Sequence, residues 1–161
     1  MRSYDLSGLE ILLVEKHFLI RRMLTDIFGV MGVPTVHTTN SVEAGWELFD
    51  SQAPDILLTD WNNELNGIEL LHRVRRDPDS PDPYCPVVVV TANTELRHVC
   101  TARDKGMTEF LAKPVSAKLL YGRICSVIES NRVFVRSENF FGPDRRRARH
   151  VNYGGPERRA A

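Results

Sequence analysis

The chain has 161 residues, 42% of them hydrophobic and 26% charged, with a formal net charge of zero. That length allows one domain with a full hydrophobic core plus an appendage. No apolar run nears the ~20 residues of a membrane span, the first residues lack the charged-then-apolar pattern of a signal peptide, and a cytoplasmic protein without membrane insertion is expected.

Short apolar runs alternate with helical periodicity along the chain. The first run is EILLV, Glu10 to Val14. Leu19, Ile20, Met23, Leu24, Ile27, Phe28 and Met31 then recur at three and four, which predicts an amphipathic helix. TVHTT (Thr35 to Thr39) follows, and Asn40-Ser41 can cap a helix at VEAGWELF. DILLT (Asp55 to Thr59) comes next, then the proline-rich loop RRDPDSPDPYCP, then VVVVT (Val87 to Thr91). EFLA (Glu109 to Ala112) precedes a last helical pattern of Leu119, Leu120, Ile124, Val127 and Ile128. Near-continuous β-branched runs of this length read as strands buried on both faces. Five such units predict an α/β fold: a five-stranded parallel sheet with helices on both faces, three layers in all.

In such sheets the chemistry lies at the carboxyl ends of the strands. Those ends carry Glu15 and Lys16, Asp60, Thr91 and Lys113. A carboxylate, a hydroxyl and an ammonium converging there suit a group that gains charge. Asp60 would be the nucleophile, Thr91 and Lys113 the partners of phosphoryl oxygens, and nearby acids the ligands of a hard Mg²⁺.

With these residues in place, the chain resembles the CheY-like receiver domains of two-component response regulators. ILLVEKH, PDILLTDWNNELNGIELL, VVVVTA and EFLAKPV carry the resemblance. It implies a flavodoxin-like (βα)5 receiver over residues 8 to 131. Asp60 would accept a phosphoryl group from a histidine kinase or phosphotransfer protein, and Thr91 and Lys113 would contact it. Glu15, Asp60 and the backbone carbonyl of Asn62 would hold Mg²⁺. Phe110 would be the switch residue, Lys113-Pro114 a cis peptide, and the output a protein contact, with a flagellar motor or a kinase as target. Three departures shape the expectation. Lys16 stands where the family has a second acid, which weakens Mg²⁺ binding. WNNELNG reaches Gly67 without proline, so that loop differs in shape. Phe110 has no hydroxyl to bond.

Other chemistries fit less well. A haloacid-dehalogenase-type phosphatase needs a second acid where Asn62 stands, and there is no GxxxxGK loop or GxSxG elbow. Cys85, Cys100 and Cys125 are odd in number and lack CxxC spacing, so small buried hydrophobes are expected rather than a disulfide or zinc site. The five histidines lack ligand spacing, and Trp61 reads as an aromatic at the site's edge. The expected protein is a signalling module, not an enzyme.

The last segment, 132 to 161, has eight arginines, no lysine and three acids, a formal +5 against −5 for the preceding residues. Its few apolar side chains cannot build a second core, so no DNA-binding domain is expected. It reads as a tail, partly disordered or ordered on ligand binding. GPDRR and GPERR repeat within it, preceded by Phe141 and Tyr153. Guanidinium groups interleaved with aromatic rings suit nucleobases and phosphates. Here the chain resembles CheY-like proteins with an arginine-rich C-terminal stretch that bind cyclic di-GMP and act on the flagellar motor. The resemblance implies ligand contacts at Arg145, Arg146, Arg147, Arg149, Arg158, Arg159, Phe141 and Tyr153, and tuning of the output by cyclic di-GMP. The alternative is a phosphorylation-independent pseudo-receiver acting as a cyclic di-GMP effector.

Overall fold

The computed structural model describes residues 3–130 and 132–145. Five strands, β1 (Glu10–Val14), β2 (Thr35–Thr39), β3 (Ile56–Asp60), β4 (Val87–Thr91) and β5 (Glu109–Ala112), form one parallel sheet in the order β2-β1-β3-β4-β5. Five helices alternate with them: α1 (Phe18–Val30), α2 (Val42–Gln52), α3 (Gly67–Arg76), α4 (Leu96–Asp104) and α5 (Ala117–Glu129). This is the flavodoxin-like arrangement expected above. The third strand starts one residue later than its apolar run, because the Asp55 carboxylate instead accepts from the Glu10 amide at 2.8 Å.

Successive strand residues face opposite sides, and both sides are dry. Ile11, Leu13, Ile56, Leu58, Val88 and Val90 pack with Leu24 and Phe28 of α1 and with Leu120 and Ile124 of α5. Leu12, Val14, Leu57, Val87 and Val89 pack with α2, α3 and α4 through Phe49, Leu71, Val74 and Ala102. Each such side chain contributes about 1.5 to 3 kcal/mol by leaving water, which accounts for the near absence of polar residues in β3 and β4 before their last positions. Ser41 and Ser116 cap α2 and α5, their hydroxyls accepting from Ala44 N and Leu119 N, both at 3.2 Å. Cys85 is buried, and all three cysteines are free. Among the described residues no helix is long and apolar enough to cross a membrane.

The start of the tail, read from the sequence as partly disordered or ordered on ligand binding, contains a short hairpin. Strands β6 (Phe134–Arg136) and β7 (Phe141–Pro143) form an antiparallel hairpin. Its aromatic residues dock on the existing core instead of building a second one. Tyr84, Phe134 and Phe141 form a ring cluster with centroids 5.0 to 5.5 Å apart. Beneath it lies Arg75, 3% exposed, with its charged group over the Phe134 ring. Arg75 donates to the carbonyls of Gly106 and Pro83 at 2.9 Å and of Cys85 at 2.7 Å.

Candidate functional site

The order of the sheet puts β1 beside β3 at the point where the chain reverses direction across it, and β4 and β5 follow. Glu15 comes just after β1, Asp60 ends β3, Thr91 ends β4 and Lys113 comes just after β5. Asp60 and Glu15 are 2% and 1% exposed.

One ammonium joins the two carboxylates. Lys113 Nζ donates to Glu15 Oε2 at 2.7 Å and to Asp60 Oδ2 at 2.9 Å. Asp60 also accepts from the Trp61 amide at 2.7 Å and from Asn62 Nδ2 at 2.8 Å, while Glu15 Oε1 accepts from the His17 amide at 2.9 Å. Burial disfavours the Lys113 charge, but hydrogen bonds and attraction from Glu15 and Asp60 outweigh it and hold its pKa above the ordinary lysine value. The Lys113-Pro114 peptide is cis, as the resemblance implies.

Thr91 is in the cleft but not on the carboxylate. Its hydroxyl donates to the Trp61 carbonyl at 2.7 Å and accepts from the Asn93 amide at 3.2 Å. Phe110 is half-buried and lies outside the Asp60 cleft, on the side formed by α4, β5 and α5. Lys16 is exposed, so the cation set among the acids is Lys113 rather than Lys16. The proline-free loop closes on Asn62, whose Oδ1 accepts from Glu64 N at 2.8 Å and Leu65 N at 3.0 Å. Gly67 completes it, because a Cβ there would stand 1.9 Å from the Asp60 carbonyl oxygen.

Two buried carboxylates against one ammonium leave one formal negative charge uncompensated. That surplus, and the convergence of Glu15 Oε2 and Asp60 Oδ2 on one point, suit a hard dication. Among the described residues no three His, Cys, Asp or Glu side chains group into a metal site. Mg²⁺ would therefore have two carboxylates and complete its shell with water or carbonyl oxygen, as this ion commonly does.

Trp61 stands at the site's edge as the sequence predicts, but its partner in the cleft's wall, His98, was missed. His98 stacks on Trp61 with ring centroids 3.4 Å apart, and both line the cleft with Asp60, Thr91 and Lys113. Burial holds the His98 imidazole below the ordinary histidine value. Its spacing from Trp61 carries no motif, so no sequence signal pointed to His98.

Of the tail positions, Phe141 is 5% exposed and Arg136 lies over its ring, so it has no free face for a base. Arg145 pairs with Asp104 at 2.7 Å. Arg146, Arg147, Arg149, Tyr153, Arg158 and Arg159 lie outside the described residues.

The chain is similar in sequence and fold to known proteins. The response regulator receiver domain model matches residues 11–125. The chemotaxis protein CheY1 of Helicobacter pylori is 29% identical over 126 residues, 76% of this chain and 99% of that protein. The Regulator of RpoS of Escherichia coli is 32% identical over 114 residues, 70% of this chain and 32% of that protein. The structure of the chemotaxis response regulator CheY4 of Vibrio cholerae superposes with a TM-score of 0.67 at 22% identity, covering 74% of this chain and 98% of that one, which bears on the fold alone. With a buried carboxylate, a hydroxyl and a lysine at three strand ends and the family model spanning most of the sheet, the chain belongs to the response regulator receiver domain family.

Proposed function

We propose that Asp60 is the phosphoacceptor of a two-component or phosphorelay pathway. The observation that carries this reading is the Asp60 carboxylate itself, buried at the end of the central strand and bonded to Lys113 at 2.9 Å. A carboxylate oxygen attacks the phosphorus of a phosphohistidine on a histidine kinase or phosphotransfer protein. The P–N bond breaks, a P–O bond to Asp60 forms, and the departing imidazole keeps the electron pair and takes up a proton. Lys113 then turns from the carboxylate to a phosphoryl oxygen. The Thr91 hydroxyl leaves the Trp61 carbonyl for another, and Phe110 moves inward. Glu15, Asp60 and the Asn62 carbonyl would hold Mg²⁺, which would supply charge neutralisation for the transferring group. The output is a protein contact through the face of α4, β5 and α5, where Phe110 sits.

Phe141 is buried with Arg136 over its ring and offers no face to a guanine, so stacking of cyclic di-GMP on it is not proposed. Trp61 reports on the acceptor directly. In a Trp46→Phe background, adding a small-molecule phosphodonor with Mg²⁺ should change Trp61 emission, and Asp60→Asn should abolish the phosphodonor response while Mg²⁺ alone still acts weakly. A phosphodonor response of equal size in Asp60→Asn places the chemistry elsewhere.

A further inference from the structure

A second cavity, of ≈ 240 Å³, opens on the side of the sheet edge where β5 meets the hairpin. Four arginines line it. They come from four segments: Arg103 from α4, Arg123 from α5, Arg132 from the connection after α5, and Arg145 from just beyond β7. Glu109 pairs with Arg123 at 3.4 Å and Arg132 at 3.6 Å, and Asp104 pairs with Arg103 at 3.5 Å and Arg145 at 2.7 Å. In these contacts two carboxylates serve four guanidinium groups. Glu109 is buried, and the Arg132 side chain is 22% exposed. Partial desolvation of that kind strengthens attraction for an incoming anion.

We propose that this cavity binds a phosphate-bearing anion through the guanidinium groups of Arg103, Arg123, Arg132 and Arg145. Guanidinium forks match phosphate oxygens in pairs, and each has donors left over after one carboxylate contact. Four cations reaching one small space from separate segments suit a compact anion with oxygens on every side. An acidic peptide would spread its charges along a surface. The volume is below the ~300 to 1,000 Å³ of sites that enclose whole small molecules, so phosphate groups enter and any larger part of the ligand stays outside. Phe110 offers that part an apolar wall. The docked hairpin is what brings Arg145 to the cavity. The site does not require phosphorylation of Asp60.

The test is calorimetry on the full chain, without Mg²⁺ and at constant ionic strength, with inorganic phosphate, pyrophosphate and guanosine monophosphate as probes. Saturable binding is expected for at least one. Arg103→Ala should weaken it about tenfold or more, and Arg103→Lys should recover only part of the loss. Arg22→Ala removes the same charge from α1 and should leave binding unchanged. Circular dichroism should show both variants folded, since both side chains are largely exposed. Guanosine monophosphate binding tighter than inorganic phosphate assigns the site to nucleotides, and equal affinities assign it to free phosphate. The proposal is overturned by no saturable binding with any probe, by equal weakening in Arg103→Ala and Arg22→Ala, or by tighter binding of polyglutamate than of all three probes.

Discussion

Lys113 bridges two buried carboxylates whose combined charge it half offsets. Removing it leaves Glu15 and Asp60 facing each other without a cation. Lys113→Met should therefore lower stability by about 3 kcal/mol in urea unfolding at neutral pH. The pH dependence follows from the raised lysine pKa. The native state holds this proton more tightly than the unfolded chain, so the lysine's contribution is complete below the ordinary value of 10.5 and falls away as pH climbs through the raised one. The urea midpoint of the wild type should drop in that alkaline range by an increment that Lys113→Met lacks. Matching alkaline slopes in the two proteins would show that the lysine is not coupled to the acids. Glu15, Asp60, Thr91 and Lys113 are legible in the sequence because a parallel sheet gathers its strand ends. The outward position of Lys16 is not, since one residue past a strand the backbone turn decides where a side chain goes.

At the scale of elements, the hairpin is held by two features, a glycine of the α4–β5 connection and an arginine of α3. Gly106 has a φ of 98°, and a Cβ there would meet the Phe141 carbonyl oxygen at 2.6 Å. Gly106→Ala should loosen β6 and β7 from the body, so that amides of 133–145 exchange with deuterium faster while those of β3 and β4 do not. Unchanged protection in the hairpin would mean that its docking does not depend on that close approach. Arg75 is the second feature. Burial pulls its pKa down to about 10, yet it remains charged at neutral pH and satisfies three carbonyls. Arg75→Leu should cost about 3 kcal/mol, because those acceptors lose their partners without access to water. A loss under about 1 kcal/mol would show that water replaces the guanidinium. The five βα units are legible from periodicity and caps. Even Arg75 leaves a trace, falling four residues after Leu71 on the apolar stripe of α3. The hairpin leaves none, because three-residue strands carry too little pattern and their aromatic rings are satisfied only by a distant part of the fold.

For the whole molecule, one topology serves both Asp60 and the face that would report its proposed phosphorylation. Asp60 ends the central strand, and β4 and β5 separate it from the edge where Phe110, α4 and α5 meet the hairpin. In the proposed function, a phosphoryl group on Asp60 would draw Thr91 and Lys113 toward it and so pull on the ends of those two strands. The charge division of the sequence, an acidic body and a basic end, becomes partly local in the structure, with Arg145 brought to Asp104 of the body. Whether Asp60 accepts a phosphoryl group decides whether this topology carries a signal. Intact mass measured after incubation with a small-molecule phosphodonor and Mg²⁺ reads it without a partner protein. The wild type should gain the mass of one phosphoryl group, lose it on mild alkaline treatment as an acyl phosphate does, and Asp60→Asn should gain none. No gain in the wild type, or an equal gain in Asp60→Asn, would contradict the assignment of Asp60 as the phosphoacceptor.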